Sequence, residues 1–270
     1  MVLVAGLLGC GGEPGATPDD ATASGWQPLV TKSWTLPPGG ERTSDIQLLD
    51  LEQDIMVGGI RPIAPLGTHH TLLARGASNT NIIYASGVGT NELVFPPGTG
   101  LRLKAGTLLG LQLHIFNNSD ADLAGLSGVE VLPVAPDTVT NEVDLFLPGP
   151  SDLVLPPQET TTVVATCTVR TPQTLFALFP HMHQLGTHFK TTVSVGGALQ
   201  VLHDQPYEFE HQAFIAFEPL ALAAGDTITT ECTWNNTTAQ AVTYGESSTT
   251  EMCYSILYRF PGDGVEFCSQ

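Results

Sequence analysis

Imidazole is the side chain best suited to hold a transition metal at neutral pH, and the histidines of this sequence are grouped. Of eight in 270 residues, five occur as His69-His70, His114 and His181-Met182-His183. The last pair follows Leu175-Phe176-Ala177-Leu178-Phe179, an apolar run that reads as a buried strand. Side chains alternate faces along a strand, so His181 and His183 project to one side and can clamp one ion. Taken alone, a His-x-His reads first as two hydrogen-bonded histidines near a strand end, and it is the other signatures that point to a metal. His69 and His70 open the apolar segment Thr68-His69-His70-Thr71-Leu72-Leu73. Neighbours in a regular strand face opposite ways, so if both bind one ion the backbone bulges or twists there, or the rings use different nitrogens. In Leu111-Gln112-Leu113-His114 the leucines share one face and the polar pair the other, where Gln112 and His114 need partners or solvent. His188, His203 and His211 read as surface or supporting residues.

The elements that must carry these side chains are strands. Gly (28) and Pro (20) are abundant, long runs of strong helix formers are missing, and short alternating apolar segments lie between Gly/Pro/Asn/Asp turns. The fold class is all-β, with two tandem antiparallel jelly-roll-like β-sandwich domains. The tandem reading rests on a repeated phrase. Leu101–Asn118 and Pro219–Asn236 both run apolar, Ala-Gly, Thr or Asp, strand, aromatic, Asn-Asn. The boundary is expected at Pro148-Gly149-Pro150, giving domains over 26–148 and 149–270.

A formal charge of −18 with nine Lys and Arg excludes nucleic acid as the partner, because phosphate neutralisation needs cations. Residues 2–9 are apolar but too short to span a bilayer as a helix. Leu7-Leu8-Gly9-Cys10 resembles a bacterial lipobox, and the sequence to residue 25 reads as signal and flexible tether. The expectation is export to the cell envelope or beyond, with a membrane anchor through lipidated Cys10. No basic residue precedes the apolar run, a departure that a start a few codons upstream would account for.

Five signatures in order, His69-His70, Gln112-x-His114, His181-x-His183-x-Leu185, Gly225-Asp226 and Glu251-Met252-Cys253, resemble the copper type II, ascorbate-dependent monooxygenases. That family includes peptidylglycine α-hydroxylating monooxygenase and dopamine β-monooxygenase, and the resemblance spans most of residues 50–268. It implies two coppers per chain. His69, His70 and His114 would hold one on the N-terminal domain, and His181, His183 and Met252 the other on the C-terminal domain, where the chemistry occurs. The ligand types agree, since three imidazoles suit an ion cycling between Cu(II) and Cu(I), while a thioether favours Cu(I) over zinc. The resemblance also pairs Cys232 with Cys253 and Cys167 with Cys268. With Cys10 lipidated, none of the five cysteines is left over.

The implied reaction hydroxylates a C–H bond of a small organic substrate with O2 and an external reductant such as ascorbate. Gln112 could orient water or substrate near the first copper, or make a structural hydrogen bond. Where the peptide-hydroxylating member has an Arg for the substrate carboxylate, this sequence has Phe179. The Asn and Tyr that follow its Met ligand are Tyr254 and Ile256 here. An apolar or aromatic substrate surface is therefore expected, and no peptide amidation. The alternative is an exported lipoprotein that sequesters or transfers copper without hydroxylating anything; a purely structural sandwich fits poorly with six intact ligands.

Overall fold

The structure, a computed structural model, describes residues 25–77, 81–245, 247 and 249–269. Cys10 and the tether up to residue 24 lie outside them. The described chain is all-β, and its strands form two sandwiches. In the first, one sheet runs Gln27–Leu36, Leu123–Pro133, Ile55–Ile63, Thr99–Leu103 and Asn141–Glu142, with Leu93–Val94 also paired to Ile55–Ile63. The facing sheet runs Glu41–Thr43, Leu108–Phe116, Thr68–Arg75 and Ile82–Ser86, with Gln47–Asp50 along Leu108–Phe116. In the second sandwich, Ile215–Leu222, Gln173–Met182, Cys253–Phe260, Asp144–Pro148 and Glu266–Cys268 form one sheet. Glu159–Thr168, Thr227–Asn236, Gly186–Val195 and Ala198–Pro206 form the other. Asp144–Pro148, which ends on the first residue of Pro148-Gly149-Pro150 and lies on the N-terminal side of the expected boundary, runs in the second sandwich. All five of its residues are buried, and it pairs there with Cys253–Phe260 and Glu266–Cys268.

Period-two alternation decides which face each strand buries. Leu109, Leu111, Leu113 and Ile115 are fully buried, while Gln112 and His114 look out of the opposite face. Each buried leucine stabilises by roughly 1.5–3 kcal/mol, so this strand cannot slip by one residue without exposing its whole apolar set. Thr227–Asn236 repeats the pattern with Ile228, Cys232 and Trp234 inward.

The repeated phrase is a structural duplication. The Asn117 side chain donates to the carbonyls of Leu36, Pro37 and Ala121 and accepts from the N–H and hydroxyl of Ser119. Asn236 does the same with Leu155, Pro156, Gln240 and Thr238. Each buried amide thereby ties the end of one strand to a turn and a preceding Leu-Pro, satisfying groups that would otherwise be orphaned. The copies differ at the metal-type residues: His70 pairs with His114 in the first, whereas its counterpart His188 faces Thr233 in the second.

The sandwiches share apolar core. Phe176, Phe179, Phe214, Tyr254, Ile256 and Tyr258 of the second pack into one cluster with Leu73, Ile83, Tyr84, Leu93 and Phe95 of the first. Tyr258 Oη donates to the Ile83 carbonyl at 3.1 Å, and the Asn91 amide makes two bonds to the Phe214 backbone. An apolar contact of this kind fixes the two sandwiches against each other. The disulfides join Cys167 to Cys268 and Cys232 to Cys253, as the resemblance implies. The first staples the last short strand to its sandwich, and the second holds the strand that starts beside Met252. Among the described residues, no helix is long and apolar enough to cross a membrane.

Candidate metal centre

Thr68–Arg75 pairs with Leu108–Phe116, and the register shifts between Thr68 and His70. His69 is the extra residue of that irregularity, which lets adjacent histidines approach one point, one of the two arrangements their spacing left open. Ring nitrogens of His69, His70 and His114 lie within 4.8 Å of one another. Nδ1 of His69 and Nδ1 of His114 are 3.2 Å apart. Two ligand nitrogens each about 2 Å from one first-row ion have this spacing at a near-tetrahedral angle. The outward nitrogens of both rings meet carboxylates, His69 Nε2 at 3.1 Å from Glu210 and His114 Nε2 at 2.6 Å from Glu41. A carboxylate there fixes the tautomer with its proton on Nε2 and leaves Nδ1 free for an ion. The donor set fits a metal.

The second set sits where Gln173–Met182 ends. His181 is its penultimate residue and pairs with Tyr254, and His183 follows directly. Their rings are 5.2 Å apart, edge to face. His183 Nδ1–H donates to the Thr250 carbonyl at 2.8 Å, and His181 Nδ1–H donates to Gln212 Oε1 at 3.2 Å. Both bonds leave Nε2 unprotonated, the form a metal requires. Met252 lines the same cavity as the two rings. This set of two imidazoles and a thioether fits a soft ion such as Cu(I).

Burial keeps key imidazoles neutral. His181 is held down at about 3, first by burial and then by His183, with the Gln212 bond opposing. His70 is held at about 2, first by burial and then by His69 and its other histidine neighbours. At neutral pH neither carries the second proton of an imidazolium, which a metal would have to displace.

Glu251, signalled by the Glu-Met-Cys phrase, anchors the second set from below. Fully buried, it accepts the His183 N–H at 2.9 Å, the Leu185 N–H at 2.7 Å and the Trp234 indole N–H at 2.8 Å. Burial pushes its carboxyl up from the usual range, and these three bonds oppose the rise. Asp226 of the Gly225-Asp226 phrase lies apart from both sets. It accepts the N–H groups of Gly196 and Ala223 and shapes a turn.

One cavity of about 600 Å³ reaches both sets. His70, His114 and Gln112 line it from the first sandwich, and His181, His183 and Met252 from the second. Much of the remaining wall is apolar or aromatic, including Leu72, Ile82, Phe179, Tyr254, Ile256 and Phe267, and no Lys or Arg lines it among the described residues. Gln112 therefore opens on the same cavity as His114. His188 and His203 lie away from it beside Asp204, and exposed His211 bonds Glu208.

Sequence reasoning missed the segment 207–214, which joins two strands of the second sandwich and covers the first set. Phe209 lies 5.1 Å from the His69 ring, 4.7 Å from His70 and 6.4 Å from His183, centroid to centroid. Glu210 and Gln212 follow it. The segment has no strand period and its role arises only when the sandwiches dock, so no local pattern marks it.

The chain is thus an all-β protein with two groups of histidines facing one largely apolar cavity, one of which could hold a metal ion. Residues 143–270 match the family described as copper type II ascorbate-dependent monooxygenase, C-terminal domain. The C-terminal half of the chain thus belongs to the copper type II, ascorbate-dependent monooxygenase family. No curated protein matches the chain. Among solved structures, one from Eubacterium rectale is 11% identical, with 85% of this chain and 71% of that one covered and a TM-score of 0.25. The infectious bursal disease virus VP2 subviral particle is 12% identical, with 92% and 74% covered and a TM-score of 0.18. Likenesses this low say nothing about function.

Proposed function

We propose that the chain is a copper-dependent monooxygenase that hydroxylates a C–H bond of a small, largely apolar organic molecule with O2 and an external reductant such as ascorbate. The observation that carries this reading is the single cavity reached by both ligand sets. Copper held by His69, His70 and His114 and by His181, His183 and Met252 would supply one-electron redox chemistry with O2. The chain's own residues supply the rest. Glu41 and Glu210 hold the outward nitrogens of the first set, and Thr250 and Gln212 those of the second. Phe179, Tyr254 and Ile256 line the cavity beside His181 and would give a bound substrate apolar and aromatic surface there.

With no Lys or Arg on its wall among the described residues, the cavity offers a substrate carboxylate no side-chain cation, and neutral apolar or aromatic molecules are the substrate class. The same proposal includes a two-domain division, with Asp144–Pro148 on its C-terminal side, and export, for which two disulfides speak. It also includes lipid anchoring at Cys10. The test is ascorbate-driven O2 uptake with a panel of neutral aromatic and aliphatic compounds and a glycine-extended peptide. Uptake matched by a hydroxylated neutral product is expected. Copper binding with no coupled product from any compound would make the chain a copper carrier, and peptide turnover at comparable rate would overturn the substrate class.

A further inference from the structure

Gln212 is buried, and its one amide touches a histidine of each set. Its Oε1 accepts from His181 Nδ1–H at 3.2 Å. Its Nε2 donates to the Phe209 carbonyl at 3.0 Å and to His70 Nε2 at 3.2 Å. The Phe209 carbonyl fixes this orientation, because the reversed amide would set two oxygens face to face. The Gln212 backbone is pinned as well, since Thr90 Oγ1 donates to its carbonyl from the first sandwich.

These bonds make opposite demands. With an ion on His181 Nε2, His181 keeps its proton on Nδ1 and requires the amide carbonyl. The amide N–H then points at His70. To bind an ion through Nδ1, His70 must move its proton to Nε2, where it meets that N–H. To bind through Nε2, it must expel the N–H altogether. Either route disturbs the amide that serves His181. Without an ion, His181 no longer requires the amide carbonyl, and the Gln212 side chain can turn away from both rings.

We infer that Gln212 is a positioning residue through which the two sites oppose each other's occupancy: filling the His181 site weakens metal binding at the His70 site, and the reverse. This rests on the proposed copper reading of the two sets. By linkage the effect is reciprocal, and a conflict over one buried hydrogen bond corresponds to about a tenfold change in affinity. Gln212→Glu offers an oxygen to each histidine and removes the conflict between them at the expense of the bond to the Phe209 carbonyl, whereas Gln212→Ala removes all three bonds.

The experiment is copper(I) titration against a competing chelator, on the full chain and on His183→Ala, each with Gln212 intact, as Gln212→Glu and as Gln212→Ala. With Gln212 intact, the three-histidine site is expected to bind copper about tenfold tighter in His183→Ala than in the parent with its second site filled. In the Gln212→Glu pair the difference disappears, and Gln212→Ala loses it too. A difference that persists in Gln212→Glu, or one absent with Gln212 intact, overturns the coupling while leaving two copper sites standing. A parent that binds fewer than two coppers overturns the copper reading together with it.

Discussion

Glu251 offers the sharpest test of how the fold supports the second site. One buried carboxylate satisfies three donors, two of them the backbone N–H groups that flank the turn after His183. Gly245 and Thr243 bond the Glu251 backbone, so the same residue fixes the loop that delivers Met252. In Glu251→Ala, three buried donors lose their acceptor at about 1–3 kcal/mol each, offset in part because a charge is no longer buried. The expected loss is about 3–5 kcal/mol. Glu251→Gln keeps one oxygen for the His183 and Trp234 donors but turns its NH2 toward the Leu185 N–H. Its expected loss is about 1–3 kcal/mol. Urea unfolding of the metal-free, disulfide-intact protein measures both, with an unchanged m-value confirming that stability alone moved. Copper affinity at the His183 site should fall about 10–100-fold in both variants, with the three-histidine site unaffected. A Glu251→Gln variant within about 0.5 kcal/mol of the parent that binds both coppers as before refutes the anchoring argument.

Acid should destabilise the metal-free protein early. His181 at about 3 and His70 at about 2 lie below the ordinary histidine value, so the unfolded chain binds protons that the folded chain does not. Their stabilisation is fully present above about pH 6.5 and is lost as pH falls from there toward about 3, at about 1.4 kcal/mol per pH unit for each histidine. Urea midpoints between about pH 7 and 5 check this, and a flat profile would contradict it; bound copper should move the decline to lower pH. Cys232→Ser with Cys253→Ser should cost about 2–4 kcal/mol and weaken copper at the Met252 site more than at the three-histidine site. Chelator competition separates the two, and equal weakening would show that this disulfide does not hold the Met252 loop.

Local pattern made much of this site legible. Alternation placed Gln112 and His114 on one face, and the adjacency of His69 and His70 offered, as one of two ways to share an ion, the irregularity that the register shows. The apolar run before His181 located a buried strand, and the doubled Asn-Asn phrase marked two copies whose Asn117 and Asn236 make matching bonds. The cysteine pairs came from family resemblance rather than from spacing. What stayed hidden depends on docking. Glu41, Glu210 and Gln212 reach histidines far away in sequence, and nothing near them forecasts it. Asp144–Pro148 joins the second sandwich because its apolar residues are buried between strands from the far end of the chain, a pairing no local signal encodes.

Copper stoichiometry tests the central claim most directly. The full chain, His114→Ala and Met252→Ala should be loaded with copper(I), freed of excess metal and assayed for metal per chain. Two coppers in the parent and about one in each variant is the predicted result. One copper or none in the parent, or two retained in both variants, would contradict a paired copper centre built from these six residues.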